Sequence, residues 1–598
     1  MFFIRVHKNG GDKLPPPSFG PKLSVRQFSV AGAQVLLATG GVLTTAVHEG
    51  SRLFILDALD SQAGKRVDLS SLSITEDNYE DLMADELFVM VLVDLAEGTI
   101  TLARSVSTTR QIYYRSTNRD FLAASNPGLL RQGGCRFEVN ESVLPEFYTY
   151  RTLLAPNTLV AGVRKLSAGE LIVGSCFDPS SIKSCYPDFS FDVDPSSSTV
   201  NEAGERVEAI LSGHIAATLR HDENPATLLS GGLDSSLLAS ITRRHTDRLR
   251  SYSSDFSFLN RQDQESEYAT TVADHLKIKH TICGTTSGEF LQAVIDSIAV
   301  VGEPLHHLQT VLLYLLFHGC RTDRHRIFLC GLGADGFFGG TLHSRMRRFP
   351  STINLLRQPW AAGIIRPLAR LAARLDSRFD FFNHGFGDET VTADHILWTI
   401  GSFGDVDFIR HLLTCDRADI TRSHREQMLR YREHDIMDKV TILSLLGGTS
   451  TTMPLWGQLA ESAGLILLYP FSSPELITCF NAVPWSVKGP GAKGIIKDIL
   501  SRHGLPAEYI NRPKLSFGFP PQYWALPGAL FQPLVDMAAE MFDPSLLRSM
   551  QVVDTGRAMV LWNMINFYLW HRMFIDGETA ENLKYQLNQR CRQRHGSG

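Results

Sequence analysis

The sequence predicts two domains of different class, an α+β N-terminal domain followed by an α/β domain with a parallel sheet and a helical elaboration. Short apolar or alternating runs of strand length, such as residues 53–56 and 99–103, dominate the first part of the chain. Beyond about position 204, strand-like and helix-like segments alternate, which is typical of a parallel sheet covered on both faces. With 598 residues, the chain is long enough for both cores.

The composition narrows the class of protein. The chain is 43% hydrophobic and 20% charged, as in ordinary soluble proteins, and its net charge of -5 predicts no nucleic-acid partner. Its apolar runs fall short of the roughly 20 residues that a membrane span needs, so we expect no membrane partner. Nine cysteines without a Cys-x-x-Cys pair predict neither a zinc site nor disulfides, and with no signal peptide in view we expect a cytoplasmic protein.

Changes in composition predict the domain boundaries. The first domain is expected over residues 1–185 and the second over residues 204–590. Between them, residues 186–203 contain two prolines and a run of three serines, which is typical of a linker. Residues 591–598 are predicted to form a solvated basic tail.

The most informative segment begins at Leu228 and ends at Ser236. An apolar strand runs into Ser230-Gly231-Gly232, and a helical pattern starts near Ser235. Such a unit directs backbone N–H groups and a helix N-terminus at an anion, and glycines let the main chain approach it closely. Asp234 would repel a bare phosphate, so the expected ligand is a metal–polyphosphate. The alternative is a structural glycine turn.

The string Ser-Gly-Gly-x-Asp-Ser resembles the pyrophosphate loop of ATP pyrophosphatases, which cleave ATP between its α and β phosphates. The resemblance implies ATP and Mg²⁺ as cofactors. It predicts nucleotide contacts from this loop and from the next strand: Leu229, Ser230, Gly231, Gly232, Asp234, Ser235, Ser236 and Ser253.

A second glycine turn follows the apolar strand at residues 327–329. Gly331 and Gly333 are predicted nucleotide contacts, and Asp335 is a predicted magnesium ligand opposite Asp234. Mg²⁺ commonly takes one or two carboxylates besides phosphate oxygens and waters. Taken alone, this segment could also be a purely structural turn.

Further strings extend the resemblance to nearly the whole chain. The chain resembles a class II glutamine amidotransferase domain at residues 85–90, 102–104, 112–114, 121–125 and 162–170. It resembles the C-terminal half of asparagine-synthetase-like proteins at residues 469–476, 493–497, 505–510 and 512–519. The resemblance implies an amidotransferase-like sandwich followed by an ATP pyrophosphatase domain.

The N-terminal domain departs from that family where glutamine hydrolysis is concerned. Active members need cysteine as the first mature residue, because its thiolate and the free α-amine act together. Here Phe2 and Phe3 stand at the start, no cysteine precedes Cys135, and Ser105 replaces the usual aspartate. We therefore expect a degenerate domain that acts as a scaffold or a binding surface.

Lys514 is the third candidate in the active site. It lies in an Arg-x-Lys string, and the resemblance implies that this lysine stabilises negative charge in the transition state. Asp234 and Lys514 are thus the predicted catalytic residues. The alternative for Lys514 is a solvated surface lysine.

The resemblance implies that a carboxylate is adenylated and then attacked by an amine to form an amide. Leu332 replaces a glutamate that is a candidate base in the family and that β-lactam synthetases replace by tyrosine; leucine cannot move a proton. A peptide α-amine, with a pKa of about 7.7–8.0, needs little beyond positioning. This favours a lasso peptide macrocyclase, which joins an Asp or Glu side chain of a precursor core peptide to its N-terminal amine.

That interpretation implies a precursor peptide as substrate, with a leader-processing protease and a leader-recognition protein as partners. Four alternatives stay open: β-lactam or carbapenam-synthetase-like amide formation, ammonia-dependent asparagine synthesis, a tRNA-modifying pyrophosphatase, and an inactive scaffold.

Overall fold

The computed structural model describes residues 1–8, 19, 23–30, 33–40, 44–58, 88–106, 108–186, 199–220, 222, 224–255, 257–259, 264–339, 343, 364, 368, 406–431, 434, 436–488, 493–512 and 520–595. Within these ranges, the first part of the chain forms antiparallel sheets and the second part forms a parallel sheet with helices around it.

The N-terminal strands are β1 Phe2–Lys8, β2 Ser24–Val30, β3 Ala33–Thr39, β4 Thr44–Glu49, β5 Arg52–Ala58, β6 Phe88–Asp94, β7 Thr99–Arg104, β8 Tyr113–Ser116, β9 Asp120–Ala124, β10 Arg164–Lys165, β11 Leu171–Ser175 and β12 Asp178–Cys185. Among the described residues they make two six-stranded sheets, in the orders β10-β8-β9-β1-β3-β2 and β12-β11-β7-β6-β5-β4. Every pairing in them is antiparallel.

The two sheets pack face to face because alternate residues of their strands are apolar. Phe2, Ile4 and Val6 of β1 belong to one buried cluster with Val91 and other odd-numbered residues of β6. Side chains that alternate along a strand point to opposite faces, so one face of each sheet fills the space between them. The N-terminal sandwich predicted from the resemblance is therefore present.

The second sheet domain contains β13 Ala226–Leu228, β14 Arg250–Ser254, β15 Lys279–Cys283, β16 Ile327–Leu329 and β17 Ile466–Leu468. All its pairings are parallel, and the strand order is β15-β14-β13-β16-β17. The chain leaves β13 toward one edge and later returns to β16 on its other side. Loops that follow adjacent strands diverge at such a switch point and open a crevice for a ligand.

The α-helices are α1 Pro127–Gln132, α2 Leu144–Tyr150, α3 Val200–Leu219, α4 Leu233–His245, α5 Gln264–Leu276, α6 Ser287–Val301, α7 Gln309–Cys320, α8 Ala334–Phe337, α9 Val406–Leu413, α10 Arg417–Arg430, α11 Ile436–Leu443, α12 Ser450–Ser462, α13 Pro474–Asn481, α14 Gly494–Arg502, α15 Ala507–Ile510, α16 Gln532–Ala538, α17 Pro544–Met550, α18 Thr555–Phe574 and α19 Ala580–His595. A π-helix, Ser444–Thr449, joins α11 to α12. No helix in the described part of the chain is long and apolar enough to cross a membrane.

Two predicted boundaries need correction. Helix α3 begins at Val200, inside the stretch 186–203 predicted as a linker, because Thr199 and Glu202 form a capping box and Ala203 is already buried. Helix α19 continues to His595, so residues 591–595 are helical rather than part of a tail. Residues 187–198 of the predicted linker and 596–598 of the predicted tail lie outside the described residues.

Helix α18 holds the two sheet domains together. It is buried along most of its length, and Asn563 Nδ2 donates a hydrogen bond to the carbonyl of Tyr148 in the first domain at 2.9 Å. The preceding residue, Trp562, donates from Nε1 to the carbonyl of Leu305, ahead of α7, at 3.1 Å. Elsewhere between the domains, Arg110 forms an ion pair with Glu461 at 2.7 Å. The antiparallel domain is thus fixed against the parallel-sheet domain.

Candidate active site

Two neighbouring strands bring the predicted loops to one edge of the parallel sheet. Strands β13 and β16 pair in parallel with Thr227 opposite Leu329, and the Thr227 hydroxyl donates to the Leu329 carbonyl at 3.3 Å. Each strand then runs through a glycine turn into a helix, α4 or α8. Asp234 lies in the first turn of α4, where the positive end of the helix dipole favours a carboxylate.

The turn after β13 is the strand–loop–helix unit that the sequence predicts. Gly231 has φ +68°, and a Cβ there would lie 2.7 Å from the backbone of Tyr268 and Ala269 in α5, so only glycine fits. The Ser235 hydroxyl accepts a hydrogen bond from Ser230 N at 3.2 Å and donates to the Gly232 carbonyl at 3.1 Å. These contacts hold the loop in a tight curve.

The turn after β16 is pressed against the first loop. A Cβ on Gly331 would lie 3.1 Å from Asp234 Cβ and from Ser235 N. Gly333 has φ +102°, a region of backbone space that favours glycine, and a Cβ there would meet the buried Ser472 hydroxyl at 2.2 Å. Both glycines therefore allow the two loops and the following segment to approach one another closely.

Asp234 and Asp335 converge on one positive charge, the ammonium group of Lys493. Lys493 Nζ bonds to Asp234 Oδ2 and lies 2.8 Å from Asp335 Oδ1. The Lys493 side chain is 6% exposed, whereas Asp234 is 21% and Asp335 54% exposed. Burial lowers the pKa of Lys493 and the two carboxylates raise it, and the net change is upward, so the amine stays protonated at neutral pH.

Arg512 lies against the other side of the first loop. Its Nη2 donates to the Gly231 carbonyl at 2.5 Å, and its guanidinium carbon is 3.8 Å from the centroid of the Tyr268 ring. Stacking on the ring leaves Nη1 buried with no hydrogen-bond partner among the described residues. The site thus contains a second cation beside the loop, and its Nη1 can still donate hydrogen bonds.

A cavity of about 260 Å³ opens between the loops. Its wall includes the predicted residues Leu229, Ser230, Gly232, Asp234, Ser235, Ser253, Gly331 and Asp335. Ser253 is positioned by His280, whose Nε2 is 3.1 Å from its hydroxyl. Leu332 also lines the cavity, as do the apolar side chains of Leu313, Leu316 and Trp456.

The remaining predicted residues lie elsewhere. Gly231 and Gly333 belong to the two glycine turns and Ser236 to the first turn of α4, but none of them is part of the cavity wall, and Ser236 is only 1% exposed. Lys514 lies outside the described residues, two positions beyond Arg512.

Sequence reasoning overlooked Lys493 and Arg512 as site residues. Both lie in strings that carry the family resemblance, residues 493–497 and 512–519, so a signal was present. No such signal was present for Trp456, because a tryptophan in an apolar helix is typical of a hydrophobic core. Its place at the cavity follows from the packing of α12 against α7.

Comparison with known proteins agrees with this architecture. The family model for asparagine synthase matches residues 206–572, which is more than half of the chain, and the model for a glutamine amidotransferase domain matches residues 77–178. The chain belongs to the asparagine synthase family. It is accordingly an ATP-dependent carbon–nitrogen ligase.

Several relatives in the asparagine synthase family share low sequence identity with this chain but align with half of it or more. A putative glutamine-hydrolysing asparagine synthetase of Mycobacterium bovis is 23% identical over 73% of this chain and 68% of its own length. Glutamine-hydrolysing asparagine synthetase 1 of Bacillus subtilis is 20% identical over 87% of this chain and 83% of its own length. The human asparagine synthetase is 25% identical over 51% of this chain and 55% of its own length.

The two carboxylates suit the Mg²⁺ that usually accompanies ATP in this family. Among the described residues, no three His, Cys, Asp or Glu side chains gather as a metal site. Asp234 and Asp335 nevertheless meet at one point where a cation, the Lys493 ammonium, is held. Two carboxylates complemented by phosphate oxygens and water form a common Mg²⁺ environment. Bound there, the ion would neutralise negative charge on the phosphates of ATP.

Proposed function

We propose that this protein is an ATP-dependent lasso peptide macrocyclase. It adenylates an Asp or Glu side chain of a precursor core peptide and joins it to the peptide's N-terminal amine, releasing AMP and pyrophosphate. The first half-reaction is supported by the convergence of Asp234 and Asp335 beside the glycine loop after β13. The second is supported by Leu332, an apolar residue on the cavity wall.

Adenylation begins when a carboxylate oxygen of the peptide attacks the α-phosphorus of ATP. The bond from that phosphorus to the bridging oxygen breaks, and pyrophosphate leaves. Asp234 and Asp335 would hold the metal that accompanies the nucleotide, and the loop from Ser230 to Ser235 would position its phosphates. Arg512, two positions before Lys514 in the sequence, contacts the loop. Lys514 would stabilise the charge that develops on the acyl adenylate.

Amide formation follows when the N-terminal amine attacks the acyl carbon. The carbon–oxygen bond to AMP breaks, AMP leaves, and the amine nitrogen loses one proton. Leu332 can neither accept nor donate that proton. The nucleophile should therefore be an amine that is already largely neutral near pH 8, as a peptide α-amine is.

The N-terminal domain fits a reaction in which the substrate itself supplies the nitrogen. Phe2 and Phe3, at the start of β1, are both fully buried, Phe2 between the two sheets and Phe3 on the opposite face of its sheet. Ser105 is buried directly after β7, where its hydroxyl accepts a hydrogen bond from Phe88 N. These residues serve packing. The domain would act as a scaffold and would contribute to peptide binding together with a leader-processing protease and a leader-recognition protein in a cytoplasmic pathway.

Asparagine synthesis is the second candidate, because the relatives are named asparagine synthetases. Without glutamine hydrolysis the enzyme would take ammonia and aspartate. Intramolecular amide formation of the β-lactam or carbapenam synthetase kind is a third candidate.

The deciding experiment incubates the protein with ATP, Mg²⁺ and leaderless precursor peptides. Macrocyclisation should yield AMP, pyrophosphate and a protease-resistant peptide that has lost one water. AMP formation that depends instead on aspartate and ammonia would establish asparagine synthesis, and ADP as product would overturn adenylation. Asp234→Ala should abolish activity, whereas Asp247→Asn, just beyond the far end of α4, should not.

A further inference from the structure

Lys493 occupies an unusual backbone position for a lysine. It precedes helix α14 with φ +65° and ψ +36°, a left-handed conformation that residues with a Cβ seldom adopt. Its N–H donates to the Phe338 carbonyl at 3.0 Å, directly after α8, which carries Asp335. Its own carbonyl accepts from Lys497 N at 3.0 Å. The strained backbone is held on both sides, which directs the side chain to the two carboxylates.

The position of the ammonium group coincides with the position that the carboxylates offer to a metal. Nζ bonds to Asp234 and is 2.8 Å from Asp335 Oδ1, so it lies between the oxygens that a divalent ion would contact. Two like charges from adjacent loops would repel each other without a cation. An ammonium and Mg²⁺ cannot share the same small volume.

We propose that Lys493 is an internal competitor of the divalent ion: in the metal-free protein its ammonium holds Asp234 and Asp335 together, and binding of the metal with its nucleotide moves it off them. This inference rests on the proposed metal–nucleotide site. The displaced ammonium needs a new anionic partner, and the phosphates of the nucleotide supply one. Metal alone must then break the ion pairs of Lys493 without a new partner for its ammonium. With nucleotide present, the phosphates replace those ion pairs, so displacement costs less free energy.

The proposal couples the two ligands through one side chain. Metal should bind weakly without nucleotide and tightly with it, and by linkage the nucleotide should need the metal to the same degree. Removal of the Lys493 charge should strengthen metal binding without nucleotide and reduce the gain in metal affinity that the nucleotide gives. Simple loss of a ligand contact would not strengthen metal binding.

The test measures binding of Mn²⁺, a paramagnetic substitute for Mg²⁺, to the full-length protein by electron paramagnetic resonance. Without nucleotide, Lys493→Met should bind Mn²⁺ more tightly than wild type, on the order of tenfold or more. With α,β-methylene-ATP, the gain in Mn²⁺ affinity should be smaller in Lys493→Met than in wild type. Lys497→Met, one turn further along α14, is the matched control and should behave as wild type. Equal or weaker Mn²⁺ binding by Lys493→Met without nucleotide would overturn the proposal.

A measurement on the wild-type protein covers the case in which Lys493→Met does not fold. Saturating Mn²⁺ without nucleotide should release the ammonium, so acylation of Lys493 by an amine-reactive ester, followed by peptide mass spectrometry, should accelerate relative to Lys497. An unchanged or slower rate would contradict the displacement. Failure of the proposed function would appear as a lack of AMP formation with every peptide. Both metal-binding measurements can still be interpreted in that case, because neither depends on turnover.

Discussion

The guanidinium of Arg104, in the N-terminal domain, donates a hydrogen bond to the carbonyl of Ser450 in α12 at 2.8 Å. Four residues further along α12 stands Pro454, which has no N–H to bond that carbonyl. Arg104 thus replaces the helical donor that the proline removes. Nε and Nη1 donate to the carbonyls of Arg110 and Leu166, so each of the three nitrogens of this buried side chain has a hydrogen-bond partner. One arginine of the N-terminal domain therefore supplies the missing hydrogen bond of the helix that carries Trp456 to the cavity.

Arg104→Met should lower the midpoint of thermal unfolding, because three carbonyls lose their donor. Leaving a buried carbonyl unpaired costs roughly 1–3 kcal/mol, so a loss of about 3 kcal/mol or more in the free energy of unfolding is expected. Pro454→Ala restores an N–H at the position that faces the Ser450 carbonyl. The Arg104→Met cost should therefore shrink by about 1 kcal/mol in the Pro454→Ala background, measured as a double-mutant cycle. Equal costs in both backgrounds would show that the two residues are not coupled.

Asp335→Asn should reduce pyrophosphate release by about 100-fold or more, since a neutral amide holds a cation between the loops less well than a carboxylate. The rate of pyrophosphate formation with saturating ATP and Mg²⁺ is the measurement. Asp247→Asn, just beyond the far end of α4 and largely exposed, is a control that changes an acidic residue away from the cavity. Retention of wild-type rate by Asp335→Asn would remove Asp335 from the site.

The pH dependence of cyclisation should follow the N-terminal amine of the peptide. If the α-amine attacks without a protein base, kcat/KM should rise with pH, reach half of its maximum at the pKa of that amine, about 7.7–8.0, and level off above it. Acyl adenylate formation is monitored in parallel by pyrophosphate exchange to confirm that the second step is being observed. Leu332→Ala should change KM but leave the midpoint of the profile in place. A midpoint that moves with Leu332→Ala would indicate that position 332 influences proton transfer.

Two buried histidines should make the fold sensitive to acid. His424 stacks on Tyr150 with ring centroids 4.0 Å apart, and burial lowers its pKa to about 3. Burial also lowers the pKa of His306 well below its ordinary value, with nearby His307 and Lys165 acting in the same direction. Below pH about 6.5 the unfolded chain binds protons that the folded chain does not, so each such histidine should remove about 2 kcal/mol of stability by pH 5.

The stability of the protein at pH 7.5 and at pH 5, measured by denaturant unfolding, checks this. His424→Phe keeps the stacked ring and should lose less stability on acidification than wild type. Glu146 works in the opposite direction, because burial raises its carboxyl pKa to about 6 and protonation favours the folded state. Glu146→Gln should therefore steepen the loss of stability between pH 6 and pH 4.5. Identical pH dependence in His424→Phe and wild type would exclude His424 as an acid-sensitive group.

Local patterns in the sequence sufficed for part of the site. The strand before Ser230, the glycine turn and the helix that starts beside Asp234 lie within a dozen residues, and their periodicities and glycines are local properties. The same holds for the segment that carries Asp335. Convergence of the two carboxylates depends on β13 pairing with β16, which the parallel-sheet prediction implied without specifying the strand order.

Lys493 shows why the remainder escaped prediction. Its residue type does not distinguish it from Lys497, which lies one turn further along in the same resemblance string. Its role depends on a left-handed backbone conformation and on a hydrogen bond to Phe338, and both are products of tertiary packing. The helix start at Val200 is a different case, because the capping box from Thr199 to Glu202 was legible in the sequence.

The pairing of β13 with β16 also determines at which stage of folding the site forms. Thr227 and Leu329, which join these strands, are 102 positions apart, and Lys493 lies far beyond both. Contacts so distant in sequence form late, because the loop-closure entropy must be overcome first. A chain emerging from the ribosome therefore has its glycine loop long before it has a place for the metal. The nucleotide can stabilise only the finished fold, so ligand binding acts on the last step of folding and not on its beginning.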